Sequence, residues 1–194
     1  MKTLLATLCL ITIAPDRILA EPLFARRRCR AVARQRLERV RAVADRSRRV
    51  GPLDDAIEQG VTTPSTQKLF NGRDLSGWSI IEKYDFARHG EITVQEGAIV
   101  LGAGKPATGI RVDHGFPRLN YEVTLDAKRI EGSDFFCGIT FPVGEDYLSL
   151  VLGGWGGGTT GISNLDNMSA VENQTTGFQE FESNRWYRVR LRVT

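Results

Sequence analysis

Apolar and polar positions alternate with period two through much of the second half of the chain. In residues 121–128, Tyr121, Val123, Leu125 and Ala127 share one face, while Glu122, Thr124, Asp126 and Lys128 share the other. Successive side chains of an extended chain point to opposite faces, so this pattern predicts a strand buried on one side. Residues 187–193 repeat it, with Arg188, Arg190 and Arg192 facing water. Shorter strands are expected at 91–95, 98–101, 109–112, 135–141 and 147–152. The stretch 135–141 is apolar on both faces except at Thr140, which predicts a central strand. Turn residues separate these runs at Glu96-Gly97, at 102–104, at 131–134 and at 144–146. Several short strands at such spacing, with no long helical period between them, predict an all-β sandwich or barrel from residue 67 onward.

The first third of the chain reads differently. Met1-Lys2 followed by the apolar run 3–14 has the form of a signal peptide, with a cleavage site expected after Ala20. The run is too short for a transmembrane helix, and no other run is longer, so export and no integral membrane span are expected. Residues 26–50 hold eleven arginines and no lysine, opposed only by Glu38 and Asp45. Val32, Leu37, Val40 and Ala44 recur near helical spacing, which makes a basic amphipathic helix feasible. Three readings stay open: a segment for an anionic membrane or nucleic acid, a solvated spacer, or the product of a shifted reading frame in GC-rich DNA. Residues 61–66 have linker chemistry. The expected organisation is therefore a signal peptide at 1–20, an Arg-rich segment and linker at 21–66, and a β domain at 67–194.

Charge follows the same division. Residues 1–60 carry 13 Lys/Arg against 7 Asp/Glu, and residues 61–194 carry 13 against 16. A mildly acidic β domain has no electrostatic reason to bind nucleic acid. The three cysteines, Cys9, Cys29 and Cys137, form neither a CxxC pair nor an even framework, and Cys137 lies in an apolar run where a small buried residue is expected. Thr194 follows directly on the best-patterned strand, so the sandwich is expected to be incomplete at the C-terminus.

The stretch Leu69-Phe70-Asn71-Gly72-Arg73-Asp74-Leu75-Ser76-Gly77-Trp78 resembles the opening motif of the 3-keto-disaccharide hydrolase domain family. Residues 94–99, 120–123 and 184–189 are also similar to that family. The resemblance covers about 125 residues. It implies a concanavalin-like jelly-roll β-sandwich that continues beyond this chain, a carbohydrate substrate, and hydrolysis of glycosides already oxidised to a ketone at sugar carbon 3. By itself the motif also predicts a tight turn at Asn71-Gly72 and a core closure by Leu75 and Trp78.

Such a reaction needs a base for the acidified hydrogen at carbon 2, an acid near the leaving oxygen, and donors or a cation for the enolate. His114, at a strand end, and Asp134, at the opening of a central strand, are the catalytic candidates. Asp166 and Glu172, with Asn173, offer oxygen ligands to a divalent cation such as calcium, although no certain cofactor is indicated. Trp155, set among five glycines at 153–158, is a candidate sugar platform, with Asn173 as a second substrate-binding residue. Family members often place an acidic residue and an amide where this chain has the leucines of 147–152. A non-catalytic concanavalin-like module that binds carbohydrate or a partner is therefore the alternative.

Overall fold

A computed structural model describes residues 66–194, together with the backbone of two upstream strands. In chain order the strands are β1 Leu8–Thr12, β2 Val40–Asp45, β3 Trp78–Ile80, β4 Ile92–Gln95, β5 Ala98–Leu101, β6 Ala107–Val112, β7 Tyr121–Ala127, β8 Cys137–Val143, β9 Asp146–Gly154, β10 Thr159–Ser163, β11 Gly177–Phe178 and β12 Tyr187–Val193. The one helical element is a single 3-10 turn at Tyr84–Phe86, so the described residues are all-β. None of their helices is long and apolar enough to cross a membrane.

The strands form a seven-stranded sheet in the order β11-β10-β9-β8-β1-β6-β3, a three-stranded sheet β2-β12-β7, and the hairpin β4-β5. The alternating strands behave as their pattern dictates. β12 buries Tyr187, Val189, Leu191 and Val193 and exposes its three arginines. Opposite it, β8 and β9 turn Ile139, Phe141, Leu148, Leu150 and Leu152 inward, and these side chains pack with those of β12 and with Val123 of β7 in one cluster. One apolar layer thus joins the two larger sheets. Each such side chain contributes roughly 1.5–3 kcal/mol when fully buried. On the outer face, Arg188 forks onto Asp126, at 2.8 and 2.9 Å, while Glu122 takes Arg190 and Arg192 at 2.8 Å each. These pairs are about half exposed, so they set cross-strand register more than stability.

The expected strands correspond closely to β4–β9 and β12. The central run begins at Cys137 rather than at residue 135, because Phe135 adopts φ 46° and Asp134 turns the chain there. A further strand that the alternation did not indicate, β10, runs antiparallel to β9 across a bulge. The basic segment, where helical spacing is feasible, contributes a strand at Val40–Asp45 instead. It pairs with the free edge of β12, and the cooperative gain of a six-residue ladder overrides weak helical periodicity. The apolar leader-like run contributes β1, parallel to both β6 and β8. Two upstream segments are therefore drawn into the same sheets as the unit at 67–194. The expected cleavage site after Ala20, the remaining arginines and most of the linker lie outside the described residues.

The motif at 69–78 folds as a compact turn system. The Asn71 side-chain oxygen accepts from Arg73 N and Asp74 N, at 2.7 and 3.0 Å, and Gly72 takes φ 79°. Asp74 accepts in turn from the Asn71 amide at 2.7 Å and from Ser76 N at 2.8 Å. Trp78 Nε1 donates to Leu69 O at 2.9 Å, which closes the system onto β3.

Leu191 is fully buried at the centre of the shared layer. Leu191→Ala should lower unfolding free energy by about 2–5 kcal/mol in a urea titration. The Asp74 carboxyl is held down to about 2, against an ordinary 3.8, first by the Ser76 hydroxyl, then by the Asn71 amide and Ser76 N–H. A lowered folded pKa stabilises the folded state above the ordinary value, and that stabilisation disappears as pH falls through the folded value. The stability difference between the wild type and Asp74→Ala should therefore be constant above pH 4 and shrink between pH 4 and 2, read from urea midpoints across that range.

Candidate functional site: a cleft beside the glycine-rich loop

β9 ends in Gly153-Gly154, and the chain turns through Trp155 to Gly158 before β10. The turn is anchored from one side by Asp134, whose Oδ1 accepts from Phe135 N at 2.9 Å and from Gly156 N at 3.0 Å. Gly157 takes φ 96° and lies so close to Ser133 O that a Cβ would collide with it. The Phe178 ring lies directly over Gly158, where any side chain would displace it. Gln179 N donates to Gly158 O at 2.8 Å and fixes the strand leaving β11 beside the loop.

These segments border a shallow, open cleft of about 340 Å³ lined by Arg129, Ser133, the three glycines 156–158, Phe178, Glu180, Phe181 and Glu182. Its floor belongs to the core. Phe181 stacks on Phe136 at 4.3 Å and 3°, and Tyr187 meets both rings edge-on at 5.2–5.3 Å. The Tyr187 hydroxyl also accepts Glu182 N at 3.0 Å, which pins the segment carrying the carboxylates. Arg129 donates to Ser133 O at 3.2 Å and to Phe181 O at 2.5 Å. Its Nε is buried and has no hydrogen-bond partner among the described residues.

Phe178, Glu180 and Glu182 form the outer rim. Phe178 is 76 % exposed although it is a large aromatic residue. Glu180 is exposed, and Glu182 pairs with Arg185 at 2.8 Å. An aromatic face, two carboxylates and a guanidinium around one concavity can stack an apolar ring face and accept hydrogen bonds from hydroxyls.

Of the sequence candidates, Trp155 and Asp134 come together here. Trp155 is half-buried, at φ 46°, with its ring 5.3 Å from that of Phe135. Asp134 acts on the glycine loop through its backbone hydrogen bonds. His114 lies elsewhere. β6 and β8 are parallel, with Arg111 level with Thr140 across Thr12. His114 is three positions beyond Arg111 and Asp134 six positions before Thr140. At about 3.3 Å per residue they lie on the order of 30 Å apart, at opposite ends of the sheet. They cannot share one proton-transfer step. His114 is exposed and contacts Gly115 O at 3.2 Å.

Asn173, Asp166 and Glu172 belong to the loop after β10. Asn173 is buried, and it donates to Ile162 O and Ser169 O, each at 2.8 Å, while accepting from Thr175 N and Oγ1. Its amide holds that loop onto β10. Glu172 accepts from Ser169 Oγ at 2.7 Å, and Asp166 sits in a turn at φ 52°. No three His, Cys, Asp or Glu side chains gather as a metal-ligand group among the described residues.

Leu148, Leu150 and Leu152 face the shared core, so the opposite face carries Tyr147, Ser149 and Val151. There Ser149 bonds Thr140 at 2.8 Å. Along the register, Arg111 and Ser79 follow on the same face, and both meet Asp113. Phe178, Glu180, Glu182 and Arg129 were missed by sequence reasoning. No local pattern marked them, because Phe178-Gln179-Glu180-Phe181-Glu182 does not alternate and only its first residue belongs to a strand.

No family model matches this chain, and neither does any curated protein or any solved structure.

Asp134→Ala removes the acceptor of two backbone N–H groups and should cost about 1–3 kcal/mol. Asp134→Asn keeps an oxygen acceptor and should stay within about 1 kcal/mol of the wild type, both measured by urea denaturation.

Proposed function

We propose that this chain is an exported, concanavalin-like jelly-roll domain of the 3-keto-disaccharide hydrolase kind, which acts on oxidised glycosides bound in the cleft beside the glycine-rich loop. The observation that carries the reading is the exposed Phe178 ring packed against Gly158, with Glu180 and Glu182 lining the same cleft. Sugar rings present C–H groups on their faces and hydroxyls on their edges. An exposed aromatic ring flanked by carboxylates suits both. The motif at 69–78 supports the family assignment, and the shared core between two sheets agrees with a sandwich.

In this reading the 3-keto group acidifies the hydrogen at carbon 2. Glu180 accepts that proton, the enolate collapses to a carbon 1–carbon 2 double bond as the glycosidic oxygen leaves carbon 1, and water then adds at carbon 1 while carbon 2 takes a proton back from Glu180. Glu182, two residues on and lining the same cleft, protonates the leaving oxygen in this reading. Arg129 places positive charge at the base of the cleft, where enolate charge develops. Asp134 and Trp155 hold the glycine loop rather than touch the reacting carbons.

The second reading, a non-catalytic module binding carbohydrate, is favoured by one observation. The face of β9 turned away from the shared core carries Tyr147, Ser149 and Val151, all buried, and no carboxylate.

Incubation of the full chain with a 3-keto disaccharide, with and without divalent metal, separates the readings by release of the free sugars. Turnover is expected. Glu180→Gln should lower kcat by at least about 100-fold. Phe178→Ala should raise KM about tenfold, the equivalent of ~1.4 kcal/mol. A folded protein that binds the glycan without turning it over establishes the binding module instead. Unchanged binding in Phe178→Ala removes the cleft from either reading.

A further inference from the structure

Positive charge gathers on one open face of a region that is acidic as a whole. Residues 61–194 carry 13 Lys/Arg against 16 Asp/Glu. On the outward face of β12 and β7, Arg188, Arg190 and Arg192 stand level with Asp126, Thr124 and Glu122. Lys128 follows β7 at one end of this face, and its ammonium lies 4.9 Å over the ring of Trp186, just before β12. Four cationic side chains thus meet two carboxylates. The three arginine side chains are 51–54 % exposed, and Trp186 is 50 % exposed.

The two carboxylates do not use up the arginines. Asp126 takes Nε and one terminal nitrogen of Arg188. Glu122 is shared, with one oxygen on Arg190 Nε and the other on Arg192 Nε, each at 2.8 Å. The terminal N–H groups of Arg190 and Arg192 have no partner among the described residues. Two guanidinium forks are therefore fixed by their inner nitrogens, about 7 Å apart along the strand, with their outer donors turned to solvent. A guanidinium fork matches a carboxylate at two points. The exposed Trp186 ring, at the end of the same row, matches the C–H face of a sugar.

We propose that this face binds a carboxylate-bearing polysaccharide, a polyuronate, with one sugar ring on Trp186 and carboxylates further along the chain on Arg190 and Arg192. Other polyanions fit it less well. Nucleic acid calls for a denser positive field and several stacking rings, and this row has one exposed aromatic residue. An anionic membrane calls for apolar side chains that enter it, and the β7 positions between the cations are Thr124, Glu122 and Asp126. The site lies outside the cleft and stands under either reading of the cleft. The two adjoin, because Asn184 N donates to the carbonyl of the cleft residue Arg129 at 2.8 Å, beside Trp186.

The test is fluorescence anisotropy of a fluorescein-labelled oligogalacturonate titrated with the full chain. Binding is expected at about 50 mM NaCl and should weaken at least about tenfold at about 500 mM. The double variant Arg190→Gln/Arg192→Gln should weaken it at least about tenfold, and Trp186→Ala about fivefold. Thr124→Arg adds a cation to the row and should tighten binding about threefold, a gain that misfolding cannot mimic. Phe178→Ala, in the cleft, should leave the affinity unchanged, which separates this site from the cleft. Absence of binding, equal binding by the wild type and the double variant, or loss of binding in Phe178→Ala overturns the proposal. Tighter binding of a labelled oligothymidylate or of phosphatidylglycerol vesicles overturns it too.

Discussion

The layer where β12 meets β8 and β9 is the contact on which the rest of the molecule rests. Val189, Leu191, Val193, Ile139 and Phe141 are all completely buried there. β12 also organises its own sheet, because it lies between β2 and β7 and supplies backbone pairs to both. Two faces of one strand thus do separate jobs: the inward residues bind the sheets together, and the outward arginines bridge to Glu122 and Asp126 and hold the register.

The cleft inherits its rigidity from that layer. Phe136, Phe181 and Tyr187 close one end of the core with an aromatic trio, and the same rings underlie the cleft floor. Tyr187 belongs to β12, yet its hydroxyl holds the backbone of Glu182. A substitution in the core at this end would therefore be felt at the rim carboxylates. The glycines of the loop allow the close approach. Side chains at 157 or 158 would collide with Ser133 or Phe178 and push the walls apart. A site built in this way is preorganised by packing and backbone hydrogen bonds, with few side-chain ties of its own.

Much of this was legible in the sequence, for identifiable reasons. Residues 187–193 alternate without a fault, so β12 could be read residue by residue. The turn at Asn71-Gly72 was equally readable, because the Asx geometry is local. Strand β10 was hidden, since Thr159-Thr160-Gly161-Ile162-Ser163 is small and polar and is held by its neighbours rather than by its own pattern. Trp155 was found as a singular feature, whereas the more exposed Phe178 was not. Its significance comes from lying over Gly158, twenty residues away in the chain. His114 and Asp134 were each plausible alone, but the parallel course of β6 and β8 sends them to opposite ends of the sheet.

By itself, then, the sequence determined which segments extend, which of their faces turn inward, and where the chain turns sharply. Those properties follow from side-chain alternation and backbone conformational preference, both of which act over a few residues. Only the tertiary structure decided which strands became neighbours, that an apolar leader-like run and part of an arginine-rich segment would pair as β1 and β2, and that Arg129, Phe178, Glu180 and Glu182 would line one cleft. Unpaired strand edges accept whatever extended segment can reach them, and no local pattern names the partner.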